Sequence, residues 1–362
     1  MPSASDRPEL PARGAAAAPD FVHLFPGQGD FAVSPLVAAA RAHPVVRAAA
    51  EEVFAQVDAV SGSYGVPALG PALLGSTPPS GRTLAAGPVG TPQVALFGAS
   101  LTIHRALCAI GAAPRRIVAV SFGEIAALTA AGVFDIPDGT RIACRLSRYL
   151  SRCRGGMTLL AAGEERAREL IDTTGARRVS VACVNDPQET VLSGPTHELS
   201  QAEACAERHG VAAVRLRLPF ASHHPSLGTH AEGFAAAIRT LPSRPAHTPV
   251  HSAVHGGPYS RWDDPYQGLA GCLTRPVRLP PVLERAATPG PALLLEAGTG
   301  QALTRNARRV LAGHDLVAAR SPLTEPDFPW ERPHHLNRCF DRWPAGSEGP
   351  GADRREQHGV IA

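Results

Sequence analysis

The chain contains no lysine. All 35 of its basic residues are arginine, and 32 acidic residues leave a formal net charge of +3. So small an excess, without a basic run interleaved with aromatics, excludes a nucleic-acid-binding role. Lysine codons are A-rich, so the absence points to GC-rich coding DNA. Seven cysteines, an odd number with no CxxC spacing, exclude a disulfide or zinc framework. They read as scattered small core residues of a reducing compartment, and neither a metal nor a bound cofactor is expected. No apolar run has the length of a membrane span, and no signal-peptide core opens the chain, so no membrane partner is expected and the expected location is the cytoplasm.

What is present is apolar bulk: 362 residues, 44% of them hydrophobic, can build one large domain or two smaller ones around a sizeable core. Residues 1–19 and 344–362 lack hydrophobic periodicity and are expected to be disordered tails. Between Ser61 and Gly90 glycine and proline recur so often that a loop-rich connection is expected. No internal repeat is visible.

The most informative stretch is Ile117-Val118-Ala119-Val120-Ser121-Phe122-Gly123-Glu124-Ile125-Ala126-Ala127-Leu128, a short β-branched run that meets a serine and then an alanine-rich helix. This is the pattern of a nucleophile elbow. A sharp strand-to-helix turn lifts the hydroxyl out of the backbone, and the first free N–H groups of the helix face an oxyanion on the attacked carbonyl. A bland strand-helix junction can carry the same letters, so the surrounding segments decide.

Upstream lies Phe25-Pro26-Gly27-Gln28-Gly29, straight after the strand-like Phe21-Val22-His23-Leu24, and downstream lies Phe220-Ala221-Ser222-His223. With Gln93-Val94-Ala95-Leu96-Phe97, Val184-Asn185-Asp186-Pro187, Arg275-Pro276-Val277 and Leu295-Glu296-Ala297-Gly298 in the same order, the chain resembles the malonyl-CoA:acyl-carrier-protein acyltransferase family, above all the acyltransferase domains of polyketide synthases. The resemblance spans roughly residues 20–343. It implies an α/β fold in which an α/β-hydrolase-like subdomain, residues 20–155 and 219–343, carries an inserted ferredoxin-like subdomain, residues 156–218. The inserted block shows a βαββαβ rhythm of its own: strands at Met157–Ala161, Val179–Val184, Thr190–Ser193 and Val211–Leu218, with helices at Glu164–Ile171 and Leu199–Arg208.

Acyl transfer from a thioester needs a nucleophile, a base and oxyanion donors. The resemblance assigns these to Ser121, to His223, and to the backbone N–H groups of Gln28 and Phe122. His224 is the neighbour that a register error of one would substitute. In the family a main-chain carbonyl, not a carboxylate, holds the histidine, and the expected location is the segment Glu296-Ala297-Gly298-Thr299. Gln93 and Asn185 match positions that line the cleft. The implied substrates are acyl-CoA and a phosphopantetheinyl acyl carrier protein, with ketosynthase components as further partners.

Two departures bear on specificity. The elbow is normally Gly-His-Ser-x-Gly, whereas Ala119 and Val120 stand here in place of the glycine and histidine. The family's carboxylate-binding arginine, in an Arg-Ser-Arg context, aligns with Leu146 of Leu146-Ser147-Arg148. A buried arginine pairs bidentately with the free carboxylate of a malonyl group, and leucine cannot. Leu146 is therefore expected to line an acyl pocket that favours monocarboxylic groups, and Ser222, where malonyl-specific relatives carry phenylalanine, to make it roomier. The resulting expectation is an acyltransferase of polyketide antibiotic biosynthesis that moves a starter such as acetyl or propionyl through a Ser121 acyl-enzyme. A malonyl extender-unit transferase, an editing acyl-carrier hydrolase and a non-catalytic carrier-binding module stay open beside it.

Overall fold

The computed structural model describes residues 19–331 and 335–336. The tails expected at 1–19 and 344–362 lie outside the described residues, apart from Pro19. Eleven strands run in chain order among the described residues: β1 (Asp20–Phe25), β2 (Arg116–Ala119), β3 (Gly156–Leu160), β4 (Ser180–Asp186), β5 (Glu189–Gly194), β6 (Ala213–Arg215), β7 (Val250–Ser252), β8 (Gly257–Pro258), β9 (Val277–Arg278), β10 (Ala292–Glu296) and β11 (Val317–Arg320).

The larger sheet has the order β11-β10-β1-β2-β7-β8 and is parallel except for the β7–β8 pair. Two of its inner strands carry short unbroken apolar runs, Leu293-Leu294-Leu295 in β10 and Ile117-Val118-Ala119 in β2, because helices cover both faces. The helix Thr91–Ala109 is buried almost all round and lies in the main apolar cluster with the helix Pro44–Ser61. The loops after β1, β2 and β10 all leave the carboxyl edge of the sheet, where open α/β sheets form their ligand crevices. Residues 62–90 contain only short helical pieces, a 3-10 turn at Gly62–Tyr64 and the helices Gly70–Leu74 and Gly81–Ala85.

The smaller sheet has the order β6-β3-β5-β4-β9, and its first four strands are antiparallel in the ferredoxin-like arrangement. Side chains alternate along it, except that an irregularity between Val181 and Cys183 shifts the pattern in β4. Leu160, Val181 and Leu192 face the helices Glu164–Thr174 and Thr196–Arg208, while Met157, Leu159, Cys183 and Val191 face the other way. Two sequence expectations change. The strand expected at Val211–Leu218 pairs with β3 only over Ala213–Arg215, after which the chain turns off toward Pro219, which has no N–H to offer a ladder. The small sheet also extends beyond residues 156–218, because β9 adds itself in parallel along β4, Cys183 facing Val277, and covers an edge that would otherwise stay unpaired.

Candidate active site

Strand β2 stops at Ala119, and the Val120 N–H donates to the Phe25 carbonyl at 3.1 Å, so elbow and upstream loop are tied from the start. Ser121 follows with φ +54°, a left-handed conformation that costs a side chain of this kind strain and is kept only where the surroundings impose it. Here they do. The helix Gly123–Ala130 begins two residues later, pressed so closely on the loop after β1 that a Cβ on Gly123 would lie 2.4 Å from the Phe25 oxygen and 2.5 Å from that of Pro26. Gly27 packs on the serine from the other side. Among the described residues, neither the Gln28 N–H nor the Phe122 N–H has a hydrogen-bond acceptor. Ala119, in the position of the usual glycine, is fully buried and accepts the Ala253 N–H at 2.9 Å, so the altered elbow keeps its turn.

His223 brings its Nε2 to 2.7 Å from Ser121 Oγ, across 102 residues of sequence. Its Nδ1 lies 2.7 Å from the Arg275 carbonyl oxygen. A carbonyl can only accept, so Nδ1 carries the proton and Nε2 presents a lone pair to the serine hydroxyl. Burial pulls the His223 pKa down to about 4, against a smaller upward pull from the Arg275 carbonyl, so the ring is neutral at pH 7. His224 faces elsewhere: its Nδ1 meets Ser226 Oγ at 2.7 Å and its Nε2 the Arg178 carbonyl at 2.9 Å.

The carbonyl that holds His223 is therefore Arg275, and the expectation of residues 296–299 is corrected. The physical reason is a helix end. The helix Pro265–Thr274 leaves its last carbonyls without intrahelical partners. Pro276 keeps Arg275 extended at φ −96° and ψ 142°. Three successive residues attach there: Ser222 Oγ donates to the Cys272 carbonyl at 2.9 Å, the His224 N–H to Leu273 at 2.9 Å, and His223 to Arg275. Glu296 is occupied instead by the N–H and hydroxyl of Thr304, at 2.7 and 2.6 Å.

Ser121 and His223 open into a cavity of about 150 Å3 between the two sheets. Gln28, Asn185 and Ser222 line it, with apolar walls from Met157, Leu159, Val191, Leu216, Leu218 and Phe220. Asn185 is held by Glu189 at 2.8 Å. Gln93 is buried and donates to Gln28 Oε1 at 2.9 Å, lining a second cavity that shares the wall Leu216, Leu218 and Phe220. Leu146 lines neither cavity. It is 2% exposed inside the main apolar cluster, because its helix Ile136–Leu150 turns that face inward and a leucine is too short to leave it. Both neighbouring cations are engaged away from the cavity: Arg145 donates to the Ala237 carbonyl, and Arg148 donates to the Tyr64 carbonyl at 3.0 Å while lying over that ring. Among the described residues no arginine lines the first cavity.

Sequence reasoning missed three contributors. Asn306 lines the cleft from the helix Ala302–Val310 and is held by Asp186 at 2.8 Å. Cys272 donates its thiol to the Ser121 carbonyl at 3.4 Å. Glu124, fully buried one turn behind the nucleophile, accepts from Ser252 Oγ and, at 2.7 Å, from the Tyr259 hydroxyl. Burial raises its pKa to about 7 against the opposing pull of those donors. Glu124 sits in the elbow motif, so position alone could have flagged it. Nothing local marks Asn306 or Cys272.

The chain matches the family model described as acyl transferase domain over residues 30–321. It is 32% identical over 236 residues to erythronolide synthase EryA3 of Saccharopolyspora erythraea, covering 63% of this chain and 7% of that much longer protein. The acyl transferase domain of SpnD, solved in complex with 2-(pent-4-yn-1-yl)malonyl, superposes with a TM-score of 0.73 at 25% identity, covering 91% of this chain and 78% of the other. The malonyl-CoA:acyl carrier protein transacylase (FabD) of Xanthomonas oryzae pv. oryzae has the same fold, with a TM-score of 0.73, 24% identity, and coverage of 87% and 97%. By this match and by the fold, the chain is a member of the acyl transferase domain family, a transferase of acyl groups.

Proposed function

We propose that the chain works in polyketide biosynthesis, taking a monocarboxylic starter acyl group from a thioester onto Ser121 and passing it to the phosphopantetheine thiol of an acyl carrier protein. The 2.7 Å contact between Ser121 Oγ and a neutral, correctly tautomeric His223 carries this reading. His223 Nε2 takes the hydroxyl proton as Oγ attacks the thioester carbonyl. The N–H groups of Gln28 and Phe122 receive the oxyanion. Collapse expels the thiolate, which takes the proton back from His223, and the carrier thiol then repeats the sequence in reverse. Carrier protein and polyketide context are supported by the motif resemblance and by the likeness to erythronolide synthase.

The acyl preference is supported by the apolar lining without an arginine. A free carboxylate there would forgo a charge-assisted hydrogen bond of roughly 1.5–3 kcal/mol, or about tenfold to a hundredfold in loading. Intact-mass measurement after mixing the protein with acetyl-, propionyl- and malonyl-CoA tests the reading. Acetyl or propionyl adducts that exceed malonyl by that factor, and that move to a holo carrier protein, are expected. Preferred malonyl loading would make it an extender-unit transferase. Adducts lost to water faster than to the carrier would make it a hydrolase, and no adduct at all a binding module.

A further inference from the structure

We propose that His23, His104 and Cys108 form a binding site for one Cu(I) ion, on the side of the β1–helix interface away from the nucleophile. The inference is independent of the acyl-transfer reading. His104 and Cys108 stand one turn apart on the same face of the helix Thr91–Ala109, and His23 reaches them from the middle of β1. His23 Nδ1 lies 2.9 Å from His104 Nδ1, and Cys108 Sγ lies 4.0 Å from the same nitrogen and 3.8 Å from His104 Nε2. One ligand atom from each residue falls within 4.8 Å of the other two.

His23 is oriented for this task. Its Nε2 donates to the Ala112 carbonyl at 2.9 Å, so Nδ1 presents a bare lone pair toward His104, the outer hydrogen bond fixing the tautomer as it does for metal-bound histidines. Metal–nitrogen bonds near 2.0 Å and metal–sulfur bonds near 2.3 Å place such ligand atoms about 3.5 Å apart. The 2.9 and 4.0 Å separations bracket that distance. Cys108 is only half-buried, which leaves the ion a way in from solvent, whereas both histidines are buried.

Charge selects the metal. A thiolate and two neutral imidazoles around a monovalent soft cation sum to zero, which a buried site tolerates. A divalent ion would leave a net positive charge there, on a helix that also carries the cation Arg105. Proton balance is simple. The thiol proton leaves to solvent and the His104 proton moves from Nδ1 to Nε2, so each ion bound releases one proton. The ion would join the strand that leads into the Gln28 loop to the helix that carries Gln93, two elements that also meet through the 2.9 Å Gln93–Gln28 hydrogen bond.

The test titrates the reduced full chain anaerobically with Cu(I) against a chromophoric Cu(I) chelator. One equivalent held by the wild type, with one proton released per ion, is the expected result. Cys108→Ser should bind at least about 100-fold more weakly, since losing a ligand costs more than losing its outer partner. Cys205→Ser is the control, because Cys205 and His209 form a similar pair, 3.6 Å apart, with no third ligand among the described residues. Circular dichroism of both variants establishes that they are folded. A wild type that surrenders all copper to the chelator, a Cys108→Ser variant that keeps its equivalent, or a Cys205→Ser variant that loses it would each overturn the site. Zn2+ bound as tightly as Cu(I) would overturn the charge argument that selects copper.

Discussion

The neutral state of His223 can be tested by lowering the pH. Its ring is 2% exposed, and burial brings its pKa from 6.5 down to about 4. Acylation of Ser121 requires the unprotonated ring, so the rate should hold level from pH 8 to about pH 5 and fall tenfold per unit only below about 4. The decisive point is pH 5. There a ring of pKa about 4 is roughly 90% neutral, whereas an ordinary histidine is roughly 3% neutral, about a thirtyfold difference in rate. Single-turnover acylation by propionyl-N-acetylcysteamine, quenched and read by intact mass, is the suitable assay, because that substrate has no ionisable group in the range. The same pKa acts on stability. Between pH 6.5 and 4 the unfolded chain binds the proton and the folded chain does not, so stability falls as the pH drops through that window, by roughly 3 kcal/mol in all from this ring. His23 and His104 act in the same direction, so the wild type is compared with His223→Gln in urea unfolding at pH 7 and pH 4.5. A rate midpoint near 6.5, or identical pH dependence of stability in the two proteins, would refute the argument that burial sets this pKa.

Other outcomes follow from the same geometry. Ser121→Gly should form no acyl adduct yet unfold at equal or higher urea, because glycine accepts φ +54° without the roughly 1 kcal/mol or more of strain that serine bears; a destabilised variant would contradict that strain. His223→Ala should slow acylation by about 100-fold to 10,000-fold, while His224→Ala, which loses only its contacts to Ser226 and Arg178, should stay within a few-fold. Gly123→Ala should cut acylation sharply, since its methyl would meet the Phe25 and Pro26 carbonyls and move the Gln28 loop; near-wild-type turnover would show that the loop yields freely. Glu124→Ala, which strands the Ser252 and Tyr259 hydroxyls in the interior, should cost about 1–3 kcal/mol for each in thermal or urea unfolding, and Glu124→Gln clearly less.

The sequence by itself determined the α/β class and marked Ser121 as the candidate nucleophile, the first through local periodicity and the second through motifs in a fixed order. A β-branched run, a serine and a glycine mark a candidate elbow within seven positions, the flanking motifs decide it, and two side-chain periodicities mark strands and helices. The alternation of β3 and β5 and the amphipathic helices Glu164–Thr174 and Thr196–Arg208 were legible for the same reason. Tertiary structure alone decided which carbonyl holds His223. A helix end offers unpaired acceptors to whatever segment packs against it, and no pattern in residues 222–224 names Arg275. It also decided that Leu146 belongs to the core, since helical spacing fixes relative angles around the axis but not which face meets which cavity. The same holds for His23, 81 residues from His104 yet 2.9 Å away in space: strand β1 and the helix Thr91–Ala109 each satisfy their own periodicity, and only their packing brings the two rings together.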